Sequence, residues 1–200
     1  MARSFFEAVK NRRTYYGISK ESPISDSAIQ EIVSEAVKHA PSAFNSQSAR
    51  VVLLLGAQHD RLWDITKEEL KKIVPAEAFQ ATEDKINGAF KSGYGSVLFF
   101  EDSAVIEGLQ QQFPTYKDAF PVFSSHSSGM LQYVVWTALE DEGLGCSLQH
   151  YSPIIDEAVQ KEWNIPASWK MVAQMPFGTP TAPAGDKEFQ PLEQRVKVYK

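Results

Sequence analysis

Apolar residues at Ile29, Ile32, Val33, Ala36 and Val37 recur at the 3.6-residue period of a helix. Ser25 or Asp26 is placed to cap its start, and Pro41 stands beyond its end. Residues 50–56 and 96–101 are different in kind, since each is a continuous apolar run without a polar face, as expected of a strand buried on both sides. Between them, residues 60–91 are charged but carry Leu62, Ile65, Leu70 and Ile73, then Phe79, Ile86 and Phe90, which predicts two helices broken near Pro75 and laid over one face of a sheet. Residues 124–141, with Met130, Val134, Val135, Ala138 and Leu139, form the longest apolar helix, suited to a core or a dimer interface. Residues 169–177 alternate as a strand. From Gly178 the chain is too proline-rich for a helix and runs extended until residues 195–199 (Arg-Val-Lys-Val-Tyr) alternate again, placing Arg195 in a strand. A short helix over residues 4–11 opens the chain.

Helices and strands thus alternate without repeat or linker, which points to a mixed sheet covered by helices. The 200 residues, 43% of them hydrophobic, suffice for one domain spanning 1–200. A net charge of −5 gives no electrostatic footprint for nucleic acid. No apolar run reaches the roughly 20 residues of a membrane span, and the opening Met1-Ala-Arg-Ser-Phe-Phe-Glu meets charge too soon for a signal peptide. With Cys146 as the single cysteine, no intrachain disulfide forms, and a cytoplasmic protein is expected. His39, His59, His126 and His150 lack ligand spacing, so no metal site is expected. Hydrolase, P-loop and dinucleotide-fold motifs are missing as well.

Candidate chemistry begins with Arg12-Arg13-Thr14. Forked, permanently charged donors beside a hydroxyl suit a phosphate monoester, although two cations closing a helix are also favourable on dipole grounds alone. About thirty residues on, Pro41-Ser42-Ala43-Phe44-Asn45-Ser46-Gln47-Ser48 presents two carboxamides just before a buried strand. Asn45 and Gln47 offer donor and acceptor together, as a ring with alternating carbonyls and nitrogens requires, while Pro41 and Ser42 would also serve as a helix stop. FMN is a molecule that asks for both halves.

The Arg-Arg-Thr segment with the Pro-Ser-x-x-Asn-x-Gln segment resembles the nitroreductase family of flavoproteins, and the resemblance runs from Arg12 to Arg195. It implies an α+β fold of three layers, α-β-α, with a central mainly antiparallel sheet. It further implies a homodimer with FMN at the subunit interface, residues 121–129 reaching the partner's flavin, and ping-pong hydride transfer from NADPH or NADH to nitroaromatic or quinone-like acceptors. Arg12, Arg13 and Thr14 would hold phosphate or ribityl oxygens, and Ser42, Asn45 and Gln47 would approach the flavin ring. Tyr16 stands where the family usually has a second cation facing the pyrimidine end, with Lys85 or Lys91 as substitutes. Gly145, within Gly143-Leu-Gly145, is similar to a family turn along the flavin face, and the Gln149-His150-Tyr151 that follows resembles the fatty-acid-repression subgroup. Lys187 or Arg195 would return a charge to the phosphate. For Phe44, Trp136 and Tyr151 the plain core aromatic is the favoured reading. The competing readings are a flavin-binding redox sensor with little turnover and a flavin-free structural dimer.

Overall fold

A computed structural model describes residues 4–200; residues 1–3, part of the charged opening noted above, lie outside the described residues. Helix α1 (Phe5–Asn11) starts with a capping box, in which the Ser4 hydroxyl accepts the Glu7 N–H and the Glu7 carboxylate accepts the Ser4 N–H at 2.8 Å. Helix α2 (Asp26–His39) is capped by Ser25, whose hydroxyl accepts the Ala28 N–H, and it buries Ile29, Val33 and Ala36 as the periodicity predicts. The long strands are β2 (Ala49–Leu55), β3 (Gly95–Asp102) and β5 (Trp169–Pro180), joined by the two-residue strands β1 (Ile18–Ser19) and β4 (Gly145–Cys146). The sheet runs β1-β5-β3-β2 with β4 also paired to β5, and every pairing between named strands is antiparallel.

All eight residues of β3 are buried, because helices cover both of its faces. Val97 and Phe99 join α2 and α6 (Phe120–Asp141) in one core, with Leu131, Val135 and Leu139. Leu98 and Phe100 point the other way, into Leu62, Trp63 and Ile65 of α3 (Ala57–Leu70), Ile86 of α4 (Ala76–Ile86) and Val159 of α7 (Asp156–Glu162). The strand's period of two therefore divides the molecule into two cores, giving three layers. A register shift opposite Phe99 and Phe100 takes up Val172, so that Ala173, Met175 and Phe177 face the first core while Met171 faces the second.

Some expectations are corrected. Helix α6 begins at Phe120, four residues early, since Pro121 falls in the first turn where its missing N–H costs nothing. Helices α5 (Ser103–Gln112) and α7 bury a single residue each, Ile106 and Val159, and strands β1 and β4 are two residues long, so none of them leaves a periodic signal. Residues 195–199 are not a strand. They follow a 3₁₀ turn at Leu192–Gln194 and are exposed; alternation makes a strand only beside another strand, and no described strand pairs with them.

The second core contains a chain of polar groups. Trp63 Nε1–H donates to Ser96 Oγ at 3.1 Å, Ser96 lies 2.9 Å from His59 Nδ1, and His59 Nε2 lies 3.3 Å from the Lys91 carbonyl. A single tautomer satisfies all of them: Ser96 donates to Nδ1, and Nε2–H donates to the carbonyl. Burial pushes the His59 pKa down to about 4, so the ring is neutral. Between pH 6.5 and about 4 the unfolded chain binds a proton that the fold refuses. The stability held above pH 6.5 should therefore fall by up to about 3 kcal/mol as pH drops through this window. Urea unfolding at pH 7.5 and 4.5 checks it: His59→Gln should start less stable and lose less on acidification, and equal losses in both proteins would refute the assignment.

Candidate functional site

Residues 12–15 are clamped between the C-terminal half of α6 and strand β4. The Arg13 N–H donates to Glu140 Oε2 at 2.6 Å, and the Arg13 carbonyl accepts from Trp136 Nε1 at 3.3 Å. On the other side, Thr14 bridges Cys146, and the Tyr15 N–H donates to the Cys146 carbonyl at 2.9 Å. Backbone pinned on both edges leaves the side chains to project from a fixed position. The Arg12 guanidinium lies 4.4 Å from the Trp136 ring centroid and 5.7 Å from that of Tyr133. Its Nε is buried with no hydrogen-bond partner. The Arg13 guanidinium donates instead to the Gly185 carbonyl, fastening the tail beside this segment.

Gly145 lies on the same clamp, facing Gly178 across β4 and β5. A Cβ at Gly145 would come within 2.9 Å of Tyr15 and Pro180, and one at Gly178 within 2.2 Å of the Ser19 carbonyl. Gly145 thus makes room for the chain's own residues 15 and 180, and it is fully buried.

Tyr16 leads into an aromatic group. Its ring lies 6.5 Å from Phe90, which also meets Trp63 at 4.9 Å and Tyr151 at 6.2 Å. Burial, with Tyr16 adding to it, raises the Tyr151 phenol above its ordinary range, so it stays protonated. Of the two candidate cations, Lys91 is held by Asp64 at 2.6 and 2.7 Å. Lys85 Nζ sits 5.7 Å from the Phe90 ring centroid.

The loop of residues 42–47 is a second construction. Phe44, Asn45 and Gln47 all have positive φ, at 58°, 50° and 48°, and are three of the four non-glycine residues of that kind among the described residues. The Ser42 hydroxyl accepts the Gln47 N–H at 2.9 Å, and Arg50 Nη1 donates to the Gln47 carbonyl at 2.8 Å. The surroundings thus hold a strained backbone, as is common at binding sites. Asn45 and Gln47 are exposed. Phe44 is not a core residue: it is 53% exposed, with its ring against Phe113 at 5.1 Å and Phe120 at 5.4 Å.

The two constructions do not meet within the chain. Arg12 rests on Trp136 and Phe44 on Phe120, sixteen residues apart on one helix, or about 24 Å along its axis. Gln149 is buried, its amide donating to Ser147 Oγ at 3.0 Å, while His150 is exposed. The Tyr151 N–H is held at 2.8 Å by the buried Gln174. Lys187, two residues past the Arg13-bound Gly185, lies 5.2 Å from the Phe189 ring, and Arg195 is exposed further down the tail. Sequence reasoning missed Glu140 and Gln174. Glu140-Asp141-Glu142 at a helix C-terminus, where acids oppose the dipole, was the available signal that one of them is engaged elsewhere.

The model of the nitroreductase family matches residues 9–179. The chain belongs to the nitroreductase family. It is 37% identical over 198 residues to the nitroreductase FRM2 of Saccharomyces cerevisiae, a match covering 98% of this chain and 97% of FRM2, in agreement with the subgroup expected from residues 149–151. Nitroreductase CinD from Lactococcus lactis, solved in complex with nicotinic acid, is 47% identical with a TM-score of 0.91 and covers 98% of this chain and 100% of its own. CinD has also been solved with chloramphenicol and with 4-nitrophenol. A structure from Desulfovibrio desulfuricans in complex with FMN, 17% identical at a TM-score of 0.71, covers 100% of this chain and 99% of its own and shares the nitroreductase fold.

In this member of the nitroreductase family, Gly145→Ala should cost about 1–3 kcal/mol through overpacking against Tyr15 and Pro180. Thermal unfolding of the two proteins measures it, and an unchanged Tm would show that residue 145 faces open space.

Proposed function

We propose that residues 1–200 form one FMN-binding domain of a homodimeric oxidoreductase that uses NADH or NADPH to reduce nitroaromatic or quinone-like rings. The observation that carries this reading is Arg12, a guanidinium stacked on Trp136 whose buried Nε has no partner. A buried unpaired donor on a charged group is costly, and a phosphate oxygen would satisfy it with a charge-assisted bond. The residues present thus fit FMN. Arg12 and Thr14 would hold its phosphate end, with Lys187 brought near by the Arg13–Gly185 bond and Arg195 further along the tail. Tyr16 and Tyr151 would border the ring, and Lys85 would face its pyrimidine edge. The carboxamides of Asn45 and Gln47, with Ser42 bracing their loop, would come from a second copy, because in one chain they stand at the other end of α6. Gly145, Gln149 and His150 belong to the frame around the site.

Bound FMN would supply the hydride relay, accepting from the nicotinamide and, once that has left, giving to the acceptor in a ping-pong order. The chain's own work is to position, to exclude water and to set the electrostatics, so no side chain need act as an obligatory acid or base. Phe44, exposed on a braced loop, supplies a flat apolar surface for planar acceptors, in keeping with the ring-bearing ligands of CinD. The proposed compartment is the cytoplasm, on the single cysteine, Cys146, which is buried and free. No described helix is long and apolar enough to cross a membrane.

The deciding experiment is the visible spectrum of gel-filtered protein after incubation with FMN, before and after anaerobic NADPH or NADH. Flavin that is retained and bleached supports the oxidoreductase. Flavin that is retained and stays oxidised would replace it by the sensor, and no retained flavin would undo both. Arg12→Ala should weaken FMN binding by about 1.5–3 kcal/mol, roughly 10- to 150-fold, and Arg12→Lys by less; unchanged affinity removes Arg12 from the phosphate. Lys85→Met should make the flavin potential more negative by about 30–60 mV, corresponding to about 1.4–2.8 kcal/mol for two electrons. Spectroelectrochemistry reads this shift, and an unaltered potential would take Lys85 away from the ring.

A further inference from the structure

The C-terminal end of β3 holds a carboxylate that the chain leaves half-satisfied. Glu101 is only 7% exposed. Its Oε2 accepts the Ser48 hydroxyl at 2.5 Å and the Ser124 hydroxyl at 2.7 Å. Each hydroxyl has one proton and gives it to Oε2, so neither serves Oε1, which is buried with no hydrogen-bond partner. Lys170 stands opposite Glu101 in the register with β5, but its ammonium donates to the Ala167 carbonyl at 2.8 Å. A buried carboxylate oxygen without a donor is costly and calls for one. Glu101 lines a cavity of about 360 Å³ between α5, the first turns of α6 and the start of β5. Ile106 and Pro121 form its apolar wall together with Val172, the residue taken up by the register shift of β5.

We propose that this cavity binds a small organic cation, a primary ammonium on an apolar ring or short chain, whose N–H donates to Glu101 Oε1. An ionised carboxylate only accepts, so the ligand must donate, and an anion would be repelled both by Glu101 and by the exposed Glu107 in the lining. A metal ion lacks ligands, because the described residues hold no group of three or more His, Cys, Asp or Glu able to bind one. Ile106, Pro121 and Val172 suit instead a hydrocarbon body, and the volume lies at the small end of ligand pockets, which run from about 300 to 1,000 Å³. That is room for one ring with a short amine-bearing chain. An N–H on a cation bonds a carboxylate roughly twice as strongly as a neutral donor does, which favours an ammonium over an alcohol of the same shape. The terminal torsion of a glutamate is soft, which lets Oε1 turn to an incoming ammonium while the two hydroxyls follow Oε2. None of the residues proposed to hold FMN lines the cavity, so the site stands apart from the flavin reading.

Isothermal titration calorimetry of the full chain with phenethylamine, phenethyl alcohol and phenylacetate tests the site. The amine should bind once per chain, the alcohol roughly 10-fold more weakly, and phenylacetate not at all. Glu101→Gln keeps a carbonyl for the two serine hydroxyls but removes the charge, and should weaken the amine by roughly 10- to 150-fold. Ser125→Trp, at an exposed position of the lining, should close the mouth and abolish binding, and it keeps the test decisive if Glu101→Gln does not fold. Lys170→Met should leave the amine's affinity unchanged. No binding of the amine, equal binding of the alcohol, or full affinity in Ser125→Trp overturns the assignment. So does binding that emerges only in Lys170→Met, because the chain's own lysine then satisfies Glu101. The titrations are run with and without FMN: equal affinities keep the site whether or not flavin is retained, and an amine displaced by FMN belongs to the flavin site and overturns it.

Discussion

Strand β3 has no side that faces water, and the rest of the molecule is arranged around that constraint. Its odd positions supply one core and its even positions another, so both faces of the sheet must be roofed by helices. The roofs differ. On one face α3, α4 and α7 enclose Trp63, Phe90 and Phe100 completely, and the polar groups that stray inside, His59, Ser96 and Trp63 Nε1, satisfy one another. On the other, α6 covers the sheet with one half of its circumference and leaves the other half apolar and open. An unfinished surface is thus built into the three-layer plan.

The candidate site residues sit where this unfinished helix meets irregular backbone. Glu140 and Trp136 take the two backbone groups of Arg13, and β4 takes those next to it, so the Arg12 side chain is presented from a segment with no freedom to follow a ligand. The loop of residues 42–47 is likewise over-determined, with three positive φ values held by Ser42 and Arg50. Preorganisation of both halves would lower the entropic cost of binding the proposed cofactor. Neither half is complete, and their separation along α6 makes pairing of chains part of the proposed chemistry and not an addition to it.

Local chemistry decides several apparent ambiguities. Lys91 and Lys85 are equivalent by composition, yet Asp64 engages one and leaves the other over Phe90. Arg12 and Arg13 are adjacent, but one stacks on an indole and the other ties down the tail. Gly145 looks like a ligand-approach glycine until the chain's own Tyr15 and Pro180 are seen to fill the space.

By itself the sequence determined the long elements and the family. The periods of α2 and α3, the unbroken apolar runs of β2 and β3, and the order of motifs from Arg12 onward are local patterns, each written in residues that are neighbours in the chain, and hydrophobic periodicity needs no partner to be read. It did not determine α5 or α7, which bury a single residue each, Ile106 and Val159, nor the two-residue strands β1 and β4, nor the state of residues 195–199, where alternation has no described strand to pair with. Tertiary structure alone decided that Phe44 faces solvent, that Glu140 and Gln174 hold the site backbone, and that the Arg12 and Asn45 halves lie at opposite ends of one helix. Such facts depend on which distant residues share a position in space, and a charge, an amide or an aromatic ring carries no local sign of the partner it will meet.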